Sequence, residues 1–112
     1  MPGVTLDKAA LYMRTLLEQY KSKNISPEKK MHLIRAIEEN YANLKTDAEK
    51  EYFEIIINRY LLTQPLSLLE LAELYNKQDT SIGSWDIRKG IVLLSCYLPS
   101  TPHTPISVAE RR

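Results

Sequence analysis

The sequence predicts an all-α protein: a small bundle of about five helices with a helix-turn-helix toward the C-terminus. Three observations carry that prediction. Apolar residues recur at helical spacing along most of the chain. Helix-start signals recur at Thr5, Ser26-Pro27, Thr46…Glu49 and Ser67…Glu70. Helix breakers are scarce, because only three Gly and six Pro occur in 112 residues and three of those prolines lie at Pro99, Pro102 and Pro105.

Thr5 is the expected N-cap of a first helix reaching about Lys23, with Leu6, Ala9, Ala10, Met13, Leu16, Leu17 and Tyr20 forming one stripe. Lys21-Ser22-Lys23-Asn24 is a polar link. Ser26 caps and Pro27 opens the second helix, since proline suits the first turn. Its expected packed face is Met31, Ile34, Ile37, Tyr41 and Leu44. These two stripes are too short for a sustained coiled coil and suit an antiparallel pair.

Thr46-Asp47-Ala48-Glu49 is a capping box for a third helix ending near Leu62. Around Ile55–Ile57 it is apolar on every side, which predicts the central, buried helix. Thr63-Gln64-Pro65 breaks the chain. Ser67-Leu68-Leu69-Glu70 is a second capping box, opening a short helix to about Tyr75. Asn76 through Asp79 reads as a turn, and a last helix runs from about Ser81 to Leu98. The expected core includes Phe53, Ile56, Ile57, Tyr60, Leu71, Ile82 and Trp85.

One domain is therefore expected over residues 1–98, comprising a helical hairpin (5–45) and a helix plus helix-turn-helix (46–98). Residues 99–112 are expected to be a flexible, proline-rich tail that folding does not need. Its PSTP and PHTP segments match the P-x-x-P pattern of polyproline ligands, although such tails are mostly inert.

Composition narrows the function. The chain is 44% hydrophobic and 26% charged, as globular domains are. Fifteen basic against fourteen acidic residues give a net charge of +1, so no whole-molecule field steers it to nucleic acid or an anionic membrane. Cys96 is the only cysteine, which excludes an intramolecular disulfide and suits a reducing compartment. The longest apolar run, Ile91 to Leu98, is too short to span a bilayer, and the N-terminus lacks the pattern of a secretion signal. A cytoplasmic location is the expectation.

No catalytic constellation is evident, so no enzyme is expected. His32 has no partner at metal-ligand spacing, and His103 stands in the tail. Glu38 and Glu39 are adjacent and diverge on a helix, so they form no acid/base dyad. Cys96 reads as a small core residue rather than a nucleophile. No glycine-rich loop is present to cradle a phosphate. Neither a metal nor another cofactor is expected.

The strongest functional signal is SLLELAELYNKQDTSIGSWDI. A helix-turn-helix needs a small residue at the helix crossing, a turn residue four later and inward apolar residues on the second helix. Ala72, Asn76, Ile82 and Trp85 meet those needs, with Leu71 and Tyr75 as apolar neighbours. Ser81, Gly83, Ser84, Asp86, Arg88 and Lys89 are then left outward. Lys77 is the misfit, standing where an apolar residue is normal. Residues 66–98 hold three basic residues (Lys77, Arg88, Lys89) and four acidic ones (Glu70, Glu73, Asp79, Asp86), which is poor for phosphate binding by a monomer.

From Asp47 onward the chain resembles sigma-factor region-four-like regulators, including the phage ArpU-type transcriptional regulators. EYFEIIINRYLL resembles that family's helix before the motif, SLLELAEL its first motif helix and SIGSWDIRKGIVLLSCYL its recognition helix. The resemblance implies DNA contacts at Thr80, Ser81, Ser84, Arg88 and Lys89. The implied partner is duplex DNA; because a single copy's charge is weak, a homodimer is expected, joined most simply through the stripes Leu6–Tyr20 and Met31–Leu44. The alternative is a helical protein-interaction module whose partner is a polymerase subunit or its own copy.

Overall fold

A computed structural model describes residues 6–98, which fold into five helices and no strand among those residues. They are α1 (Lys8–Lys21), α2 (Pro27–Ala42), α3 (Asp47–Ile56, continued by a π-helical turn Ile57–Leu61), α4 (Leu68–Tyr75) and α5. Helix α5 joins three segments, Asp79–Ser81, a π-helical Ile82–Asp86 and Ile87–Ser95, whose junction residues all keep right-handed helical backbone. The expected Thr5 cap and the expected flexible tail, His103 included, lie outside the described residues.

Side-chain caps start the first four helices. Asp7 accepts from the Ala10 amide at 2.9 Å, so α1 begins two residues later than a Thr5 cap implies. Ser26 accepts from Lys29 and Thr46 from Glu49. The Glu49 carboxylate reaches the Lys45 amide at 2.9 Å, one residue beyond the expected Thr46. At α4 the box is complete: Ser67 Oγ accepts from Glu70 N at 3.1 Å and Glu70 Oε1 from Ser67 N at 2.8 Å. Such caps satisfy amides that have no partner inside the helix.

The core joins Ala10, Met13, Leu16 and Leu17 of α1 to Ile55, Ile56 and Tyr60 of α3. Leu71 and Ala72 of α4 and Ile82, Ile87, Ile91 and Leu94 of α5 complete it with Leu33 and Ala36 of α2. The segment Ile87–Ser95 is central, packing against α1, α2 and α3, so the expectation of a central α3 is corrected. Gly90 is the reason. A Cβ there would collide with Ile56 Cγ1 and stand 3.0 Å from the Tyr52 carbonyl oxygen, so its absence lets α5 close directly on α3. Phe53 and Ile57, expected in the core, are only partly buried.

Two further expectations fail on helix phase. Helix α2 buries Leu33, Ala36 and Asn40 and leaves Met31, Ile34 and Tyr41 exposed, so that of the expected face only Ile37 and Leu44 are partly buried. Trp85 is 45% exposed, whereas Asp86 is 5% exposed. Helical spacing and the π-helical turn together explain the second case. Asp86, four residues after the buried Ile82, shares its inward face at ordinary helical spacing, and the wider i→i+5 turn brings Ile87 inward beside it and carries Trp85 out.

Candidate nucleic-acid interface

The joint between α4 and α5 is built from short-range chemistry. Asn76 ends α4 in the left-handed conformation (φ 55°, ψ 50°), which Asn tolerates at low cost. Lys77 N donates to the Ala72 carbonyl at 2.9 Å and closes the turn. Leu71, Ala72 and Ile82 are buried at this joint, and the first two segments of α5 pack on α4. A phenol ties α4 to α3. Tyr75 Oη donates to Glu54 Oε1 at 3.2 Å and accepts from Asn58 Nδ2 at 3.1 Å. Desolvation, followed by the nearby Glu54 carboxylate, raises the Tyr75 pKa above the usual tyrosine value.

Lys77, anomalous as a turn residue, has a partner in the equally anomalous Asp86. Its Nζ lies 3.0 Å from Asp86 Oδ2 and 2.7 Å from Glu51 Oε2. Desolvation lowers the ammonium pKa, but the bonds to Glu51 and Asp86 outweigh it and the net shift is upward. Asp86 was expected outward; it instead points into this triad, joining α3, the turn and α5. The ion pair satisfies a carboxylate that would otherwise be buried alone.

Thr80, Ser81, Ser84, Trp85, Arg88 and Lys89 all lie on α5, from its first turn to the start of its Ile87–Ser95 segment. Thr80 and Trp85 are exposed; Ser81, Ser84, Arg88 and Lys89 are partly buried. All five residues implied by the resemblance therefore retain surface, although they are not equivalent. Lys89 Nζ lies 5.6 Å from the Trp85 ring centroid and 5.7 Å from that of Tyr52. Its cation is held against two aromatic faces, and an incoming phosphate would compete with them. Trp85 is the residue that the sequence reading assigned to the core and thereby missed on this surface. Periodicity alone gives no signal for it, because the π turn changes the period.

Other chemistry-bearing residues remain dispersed. Cys96 is exposed rather than buried, with its thiol 3.5 Å from the Val92 carbonyl oxygen. His32 is partly buried, Glu38 and Glu39 face solvent, and no metal-binding cluster of His, Cys, Asp or Glu occurs among the described residues. An open groove between α2 and α3 is lined by Tyr41, Leu44, Phe53, Ile57, Glu54 and Asn58, among others. Its lining includes neither histidine nor cysteine. Among the described residues, no helix is long and apolar enough to cross a membrane. Comparison with models of known protein families, with curated proteins and with solved structures finds no match to this chain.

Proposed function

We propose that the chain is a helix-turn-helix transcriptional regulator of the cytoplasm that binds duplex DNA through the outward face of α5 and acts as a homodimer. The observation that carries this reading is the inward turn of Asp86 onto Lys77. A carboxylate in the middle of the reading face would repel phosphate; paired inside, it leaves Thr80, Ser81, Ser84 and Arg88 as that face's polar surface. The left-handed Asn76 and the buried Leu71, Ala72 and Ile82 are what a tight helical corner requires. Hydroxyls at the start of a reading helix position the protein on phosphates, and an arginine further along supplies the bidentate contact that guanine favours. Trp85 joins them as an apolar contact, of the kind that reads a thymine methyl.

Backbone amide resonances test this reading during titration with mixed-sequence duplex DNA at low salt. Shifts concentrated at Thr80, Ser81, Ser84, Trp85 and Arg88 are expected. A spectrum unchanged by excess duplex overturns it.

A second reading, a protein-interaction module, is favoured by exposed apolar residues beside the same corner. Leu69 is 66% and Leu74 59% exposed on α4, the first helix of the corner. Under that reading the corner docks a polymerase subunit, and substitution of both leucines by serine abolishes the interaction without touching DNA.

A further inference from the structure

We infer that the exposed ridge of α2 is the surface through which two copies of this chain pair, with their α2 helices antiparallel. The inference rests on the homodimer within the proposed function and supplies its interface. Of the two stripes first expected to dimerise, α1 is unavailable, because Ala10, Met13, Leu16 and Leu17 are fully buried in their own chain. Met31 (67% exposed), Ile34 (39%) and Tyr41 (68%) remain outward on α2. With Glu38 they occupy spacings of three, four and three residues, which is one continuous ridge about 15 Å long.

The charges around the ridge identify a second copy as its occupant. Lys30 and Arg35 are the exposed cations of the first part of α2, after Glu28 in its first turn, and Glu38 and Glu39 stand exposed in the last part. A parallel pair would set like charges side by side. An antiparallel pair centred near Ala36 sets Met31 opposite Tyr41 of the other copy and Arg35 beside its Glu38. By two-fold symmetry each of those contacts occurs twice. Arg35 and Glu38 are exposed, and neither has an ion-pair partner among the described residues. Thioether against aromatic ring is a favourable contact, and Tyr41 is already braced by Phe53 with ring centroids 5.7 Å apart. One helix pair is a small interface, so the pairing is concentration-dependent.

Sedimentation equilibrium of the full chain without DNA tests this separately from DNA binding. A mass rising with concentration to twice that of the chain is expected. Met31→Glu combined with Tyr41→Glu should hold the protein monomeric and still cooperatively folded, with a melting temperature lowered only by the lost Tyr41–Phe53 ring contact. Arg35→Glu and Glu38→Arg should each weaken self-association about tenfold, as two like-charge contacts replace two attractive ones. Mixing these two single variants should restore association, because every cross-helix contact then pairs opposite charges. A wild type that stays monomeric at every concentration overturns the inference. So does a dimer that survives the Met31/Tyr41 double change, and so does a mixture that associates no better than its components. A dimer that forms as expected but binds no duplex leaves this interface standing and removes the DNA reading.

Discussion

Helix α1 buries Ala10, Met13, Leu16 and Leu17 completely, whereas α2, its neighbour in the chain, leaves Met31 at 67% and Tyr41 at 68% exposed. Both helices carry an apolar stripe of helical period. Only α2 carries a rival: Leu33 and Ala36 lie between about a quarter and half a turn from Met31 and Ile34, and Ile37 of the expected stripe is drawn partly inward with them. The rival stripe is smaller, and a residue as small as Ala36 lets helices approach closely. The core therefore takes the narrow face and leaves the bulky one in water. An apolar stripe on a short helix thus does not by itself say whether its own chain covers it. On α1 the cover is intramolecular; on α2 the proposed cover is a second copy.

The largest effect expected from this contrast is at Leu16. Leu16→Ala should cost about 2–5 kcal/mol in chemical denaturation, because it removes a fully buried side chain. Within α5, Gly90→Ala should cost about 1–3 kcal/mol, although alanine has the better helix propensity. The new methyl meets Ile56 and the Tyr52 carbonyl. Lys77→Met should cost a similar amount by leaving Asp86 inside without its cation. Because Lys77 is about one-third exposed, the figure expected is about 1–3 kcal/mol, below that of a deeply buried pair. Asp86→Asn in the Lys77→Met background should recover part of that loss. Trp85→Ala should cost less than about 1 kcal/mol, where a core position would cost about 3–5. Smallest of all, Met31→Ala should stay within about 0.5 kcal/mol, as exposed substitutions do. A large loss at Met31 breaks the comparison between α1 and α2.

Alkaline pH acts on the interior in one direction. Burial, followed by Glu18, holds the Tyr60 pKa above its usual value; Tyr75 and Lys77 are raised as well. A folded-state pKa above the unfolded value contributes stability that is fully present below the unfolded value. That contribution is lost as pH rises through the folded one. Denaturation midpoints should therefore be insensitive to these groups at neutral pH and fall above about pH 10.

Helix number, caps and breaks were legible because each is written in short-range chemistry. Ser67 and Glu70, Ser26 with Pro27, and Asn76 all act within four residues of themselves. Helix phase was legible only where one stripe had no rival, as in α1. On α2, Leu33 and Ala36 compete with Met31 and Ile34, and tertiary packing decides between them. In α5 the π-helical turn moves Trp85 outward, whereas Asp86 stands four residues after Ile82 on its buried face and was read as outward because of its charge. Lys77 and Asp86 were each conspicuous in the sequence, but separately. Nine residues apart across a turn, they become intelligible only as an ion pair.

The most direct test of the central claim is fluorescence anisotropy of a labelled mixed-sequence duplex, titrated with the protein over a range of salt. The account predicts binding at low salt whose logarithm falls linearly with the logarithm of salt concentration. Arg88→Ala combined with Lys89→Ala should weaken binding and flatten that slope. Retention of no duplex by the wild-type protein at low salt contradicts the account. So does a slope that the double substitution leaves unchanged.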